Sequence, residues 1–208
     1  MKTEQYLVNP CKASSLPFWK TNTVKIPDNI VVIPEDDPSF SDVSGEIYFK
    51  LMHNLEQIDD VKLPSNFEVV KVSILEFVEH INKCYIEEGI SEKELESYKL
   101  HPVYNPSLWL AIKEVKTGVV VASGIAEFDV EIGEGILEWI EVSPTFRRQK
   151  LGKFVVNELI KRLKILGAKF VTVSGKLNNP TNPSELYKSC GFENIFLWKI
   201  NIKNTKSL

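Results

Sequence analysis

Four cations fall within seven residues, at Arg147, Arg148, Lys150 and Lys153, and Gly152 is the one residue among them without a side chain. The apolar run before them, Gly135 to Val142, reads as a strand, and the run from Leu151 to Leu166 reads as a helix. A helix start offers N–H groups that lack intrahelical partners, together with the positive end of the helix dipole. Gly152 lets a ligand come close to that backbone. This combination suits an anion, above all a phosphate or diphosphate.

The elements that must hold this loop become regular from Phe67. Residues 67–72 read as a strand. Ser73 to Glu76 is a capping box opening a helix with Ile74, Phe77, Val78, Ile81 and Tyr85 at helical spacing, and Ser91 to Glu94 opens a second, acidic helix. Strands follow at 108–112, 119–130 and 135–142. Then come the basic loop and a helix whose Leu151, Val155, Leu159, Leu163 and Leu166 share one face and whose end is marked by Gly167. A strand at 169–174, a short helix from Pro183 to Cys190 and a last strand at 192–200 complete the series, and the tail from Asn201 is polar. The three strands before the loop should be antiparallel neighbours, whereas a helical crossover after it calls for a parallel one.

Residues 1–66 differ. They hold six of the eleven prolines and an acidic patch at 35–37. Here 23–26 and 30–33 suggest a hairpin, and 46–55 a helix with Ile47, Leu51, Met52 and Leu55 on one side. Residues 11–20 are irregular but carry Leu16, Phe18 and Trp19, which should be buried or should wall an acceptor pocket. The segment is expected to be an extension packed on a main domain at 67–208.

Composition narrows the function. A hydrophobic content of 43% and a charged content of 25% are those of an ordinary globular protein. A net charge of −3 argues against nucleic acid as the partner. Cys11, Cys84 and Cys190 are odd in number and far apart, and His53, His80 and His101 are scattered, so neither a disulfide framework nor a metal site is expected. The absence of a long apolar run or leader profile points to a cytoplasmic protein without a membrane partner.

Two motifs carry a family resemblance. Arg147-Arg148-Gln149-Lys150-Leu151-Gly152 resembles the pyrophosphate-loop signature Gln/Arg-x-x-Gly-x-Gly/Ala of the GNAT superfamily, the acetyl-CoA-dependent N-acetyltransferases, with Lys150 in place of the first glycine. Asn178 to Phe192 resembles that family's Asn-x-x-Ala-x-x-Leu-Tyr-x-x-x-Gly-Phe, with Pro183 in the alanine position and Pro180 in the asparagine position, flanked by Asn179 and Asn182. The resemblance spans residues 67–200. It implies an α/β fold built on a mixed sheet, the GNAT-type acyl-CoA N-acyltransferase fold. The implied activity moves an acetyl group from acetyl-CoA directly to an amine acceptor. Transfer of another acyl group and a non-catalytic sensor of coenzyme A are the alternatives.

On this resemblance the diphosphate goes to the stretch Arg147, Arg148, Gln149, Lys150, Leu151, Gly152 and Lys153. The pantetheine arm lies along Ile140, Glu141 and Val142, whose splayed edge also supplies an N–H to the thioester carbonyl. Asn179 or Asn182 reaches the cosubstrate, and Tyr187 protonates the departing thiolate. A phenol is suited to that task because it keeps its proton at neutral pH. An alkylamine of pKa about 10.4 is neutral in only about one molecule in a thousand at pH 7, so a base is needed. Glu138 is the first candidate. Glu141 is the other, and strict alternation would place it on the opposite face unless the strand bulges. Cys190 reads as a small buried thiol.

Overall fold

The computed structural model describes residues 1–85 and 89–203. The chain forms two compact units, residues 1–53 with 172–208 and residues 54–171, and each is taken by itself.

The unit 54–171 contains most of the regular stretch that the sequence marks. Strand β3 (Phe67–Val70) leads into helix α4 (Ile74–Cys84) and helix α5 (Glu92–Ser97); the lower-numbered strands and helices belong to the other unit. The Ser73 hydroxyl accepts from Glu76 N–H and the Glu76 carboxylate accepts from Ser73 N–H, so the expected capping box forms. Strands β4 (Trp109–Glu114), β5 (Val120–Asp129) and β6 (Glu134–Val142) follow, antiparallel in the order β6-β5-β4-β3. Helix α6 (Leu151–Leu166) lays Leu151, Val155, Leu159 and Leu163 against β5 and β6, and Gly167 ends it at φ 98°. Leu166, expected on that face, is exposed.

The two faces of this sheet are distinct. Phe77, Val78 and Ile81 of α4 pack with Ile125 and Ala111 on one side. On the other, a Cβ at Gly124 would stand 2.5 Å from Val155 and 2.9 Å from Leu159. Only glycine permits α6 to approach β5 so closely at the middle of the strand.

The other unit corrects the reading of the N-terminal region. Glu46–His53 is strand β2, not a helix, and pairs antiparallel with β8 (Glu193–Ile202). Its side chains fit both a period of two and a period near four. The cluster Ile47, Tyr48 and Phe49 has the bulk a strand favours, and pairing with a partner some 150 residues away, Glu46 with Ile200, decides. Nor do 23–26 and 30–33 form a hairpin. Phe18–Thr23 is helix α3, closed by Val24 N–H donating to Lys20 O, and β1 (Ile30–Pro34) pairs with β8 instead. Helices α1 (Thr3–Val8) and α2 (Pro10–Ala13) precede α3.

Lys50 anchors this region. It is 1% exposed, and its ammonium donates to Tyr6 Oη at 2.9 Å, Ser14 O at 3.0 Å and Leu16 O at 2.8 Å. Strand β7 (Phe170–Lys176) straddles the boundary between the units. Helix α7 (Pro183–Lys188) then leads to β8, which continues through Ile202 where a polar tail was expected. The remainder of that tail, 204–208, lies outside the described residues. From Phe67 the element order is the expected one. No described helix is long and apolar enough to cross a membrane.

Candidate active site

Strand β6 is irregular where chemistry was expected. Ser123 pairs with Glu141 and Ile125 pairs with Glu138, so Gly124 alone stands opposite Trp139 and Ile140. This is a β-bulge, and Trp139 takes φ 41° to make it. Strict alternation would have put Glu138 and Glu141 on opposite faces. The inserted residue puts both on the face of Ser123 and Ile125, towards α4. Trp139 faces the same side, packing against the α4 cluster, while Ile140 reaches the space over Gly124 on the α6 side.

Beyond the bulge, Ser143 N–H donates to Val121 O at 2.9 Å. The N–H and C=O of Val142 are therefore directed away from β5. The carbonyl accepts from Arg147 Nε at 3.2 Å. Pro144–Phe146 forms a single 3-10 turn, and Arg148 and Lys150 follow at φ 65° and φ 64°. Lys150 thus occupies the left-handed conformation natural to the glycine it replaces, at a cost of about 1–2 kcal/mol. It is the N-cap of α6, and Phe154 N–H is the donor to its carbonyl at 2.9 Å. The N–H groups of Leu151, Gly152 and Lys153 precede that bond, in the first turn, where a helix offers donors to an anion. Arg148, Gln149 and Lys150 are exposed, and Lys153 is tied to Asp59 at 2.6 Å.

Glu141 is the electrostatic outlier. Burial pushes its carboxyl up to about 7, against a smaller opposing pull from Arg147. It has no hydrogen-bond partner among the described residues. Around it is a buried polar cluster from α4 and β5. His80 Nδ1 lies 2.8 Å from Ser123 Oγ, and His80 Nε2 lies 3.6 Å from Cys84 Sγ. Burial lowers His80 to about 4. Burial, then the Glu141 charge, raises Cys84 to about 11. Both are neutral at pH 7, so the pair is not an activated nucleophile. Ser143, 2% exposed, places its hydroxyl beside the Cys84 thiol, where it opposes part of that rise.

The remaining candidates belong to the unit 1–53 with 172–208. Tyr187 is buried on α7, its ring 6.2 Å from Phe49 and 5.7 Å from Phe192. Asn179 Oδ1 accepts from Thr181 N–H and Oγ1, making a local turn. Asn182, at φ 48°, precedes α7 and accepts from Ser184 Oγ. Cys190 is buried, as expected, and outside any disulfide.

Sequence reasoning missed His80, Cys84, Ser123 and Ser143 as neighbours of Glu141. His80 and Cys84 are four apart on α4, a weak hint of a shared face. Nothing local links them to β5 or β6.

A family model described as "Acetyltransferase (GNAT) family" matches residues 74–192. Among solved structures, the chain is similar to a GCN5-related N-acetyltransferase from Sphaerobacter thermophilus, with a TM-score of 0.70 at 14% identity over 86% of this chain and 61% of that one. A GCN5-related N-acetyltransferase from Kribbella flavida has a TM-score of 0.56 at 14% identity, over 86% and 69%. Ard1 from Thermoplasma volcanium has 0.53 at 15% identity, over 66% and 99%. These likenesses are of fold, and the chain spans about three fifths of the length of the Sphaerobacter protein. No curated protein matches the sequence.

Proposed function

As the chain belongs to the GNAT acetyltransferase family, we propose that it is an acyltransferase moving an acetyl group from acetyl-CoA to an amine, with Glu141 as the base. The observation that carries this reading is Glu141 itself. A carboxyl held near pKa 7 on the strand that runs into the basic loop is poised to gain and lose a proton at physiological pH. The family resemblance assigned that role first to Glu138. We place it three residues along the strand, at Glu141, because burial raises that carboxyl, and Glu138 stays as the alternative base.

The basic loop supports the cosubstrate part of the reading. Left-handed Arg148 and Lys150 turn the chain into α6, and the N–H groups of Leu151, Gly152 and Lys153 are the donors proposed for the diphosphate, with Arg148 and Lys150 adding charge. Gln149 completes the loop, and Arg147 fixes it to the Val142 carbonyl. The Val142 N–H, facing away from β5, is proposed to polarise the thioester carbonyl, and Ile140 and Glu141 to flank the pantetheine arm. In the transfer, the amine nitrogen forms a bond to the acetyl carbon as the carbon–sulfur bond breaks. Glu141 takes the amine proton. Tyr187, on the family resemblance, gives its proton to the departing sulfur. Asn179 and Asn182 stay as alternative cosubstrate contacts. Three buried cysteines outside any disulfide agree with a reducing cytoplasm as its location.

Release of free thiol from acetyl-CoA, followed with a library of amines, tests the reading. Transfer to at least one amine is expected. Tyr187→Phe should lower turnover while sparing acetyl-CoA affinity, and Gly152→Val should abolish coenzyme A binding. Full binding by Gly152→Val would contradict the loop assignment.

A further inference from the structure

We propose that the acceptor is an aliphatic diamine, its reacting end at Glu141 and its far ammonium at Glu138, with the chain between them laid on Trp139. This rests on the acetyltransferase reading and adds the class of its second substrate.

Three observations within the unit 54–171 converge on it. First, the bulge presents both carboxylates on one face. Their partners on β5, Ser123 and Ile125, are two residues apart, so the acids stand about 7 Å from each other along the strand. That is the separation of two amines joined by a short methylene chain.

Second, an aromatic wall stands between and beside them. Trp139 Nε1 donates to Tyr98 Oη at 3.2 Å, Tyr85 meets the indole edge-on at 5.7 Å, and Tyr98 lies 4.8 Å from the His101 ring. His101 is held in turn by the buried Glu127, at 2.7 Å. Tyr85, Tyr98, His101 and Trp139 are all partly exposed. Ring faces attract ammonium groups and cover methylenes. Trp139 is displayed there in a left-handed conformation that a large side chain rarely adopts.

Third, Ser143 sits one step beyond Glu141 on the same face. Its buried hydroxyl, beside the Cys84 thiol, can accept an N–H of the reacting amine while Glu141 takes another. A monoamine would engage only Glu141 and Ser143. A diamine uses every group on this face from Ser143 to Glu138.

Calorimetric titration of the full chain, with coenzyme A present and absent, tests the proposal using putrescine, its amino-alcohol analogue and butylamine. These probes share a carbon chain and differ at the far end only. Putrescine should bind about tenfold more tightly than the amino alcohol. Glu138→Gln should bring the two within about twofold of each other and leave the amino alcohol unchanged, whereas Trp139→Phe should weaken all three. Equal binding of the two by the wild type, a preference that survives Glu138→Gln, or no binding of any probe overturns it. Binding is read without turnover. A chain that binds putrescine in this pattern yet releases no thiol from acetyl-CoA would count against the acetyl reading alone.

Discussion

Two enclosed ionisable side chains, Lys50 and Glu141, sit in different units and have opposite surroundings. Lys50 meets a phenol oxygen and two carbonyls, so its charge is repaid by hydrogen bonds and it pins the N-terminal helices to β2. Glu141 has a smaller pull from Arg147 and no hydrogen bond among the described residues, so burial keeps its proton on to about pH 7. A buried charge with a full set of partners is architecture. One left without them is held at a higher free energy, and that is a resource for proton transfer.

The largest effect that would break this contrast is on catalysis. Glu141→Gln should lower kcat/KM by about a hundredfold or more. The wild-type rate should rise with pH through about 7 as the carboxylate forms, and the variant should lose that rise. A variant that keeps the pH profile would remove Glu141 from its role. The same group predicts a stability trend of the opposite sense. Its pKa rises from 4.5 to about 7 on folding, so the native state holds the extra proton between those values. Native stability should therefore fall by about 3 kcal/mol as pH rises across that window, and Glu141→Gln should flatten the fall. Urea unfolding at pH 5 and pH 8 measures it.

Lys50→Met should act on stability instead. It leaves Tyr6 Oη and the carbonyls of Ser14 and Leu16 without their shared donor, a loss of roughly 3 kcal/mol. The activity of the molecules that remain folded should not change. Loss of turnover without loss of stability would erase the distinction between the two sites. The smallest effect is expected at Lys150→Gly. Relief of the left-handed strain, less the extra chain entropy that glycine loses on folding, should stabilise the chain by up to about 1 kcal/mol, while the missing charge should weaken acetyl-CoA binding a few-fold, less so at high salt. Thermal unfolding and a cosubstrate titration at two ionic strengths check the pair.

Much of the frame was legible in the residues. Ser73 and Glu76 cap α4 as a box because both partners lie within one turn, and Gly167 ends α6 because the stop signal is adjacent to the helix it stops. The departure at Lys150 was also visible, but not its consequence, since any residue type leaves two backbone solutions open until the loop is built. The segment 46–53 shows the converse. Its side chains suit a helix or a strand, and β8, which selects the strand, lies far along the chain.

What the sequence by itself determined is whatever a window of a few residues can encode: caps, the amphipathic face of α6, the basic turn before it and the order of elements from Phe67. The tertiary structure alone decided which groups share a face and which lose water. Glu138 and Glu141 are brought together by one unpaired residue opposite Gly124, and Glu141 is raised by atoms of α4 and β5 that lie beyond any local pattern. The physical reason is range. Backbone preference acts between near neighbours, whereas register and desolvation are set by partners that meet only when the chain has folded.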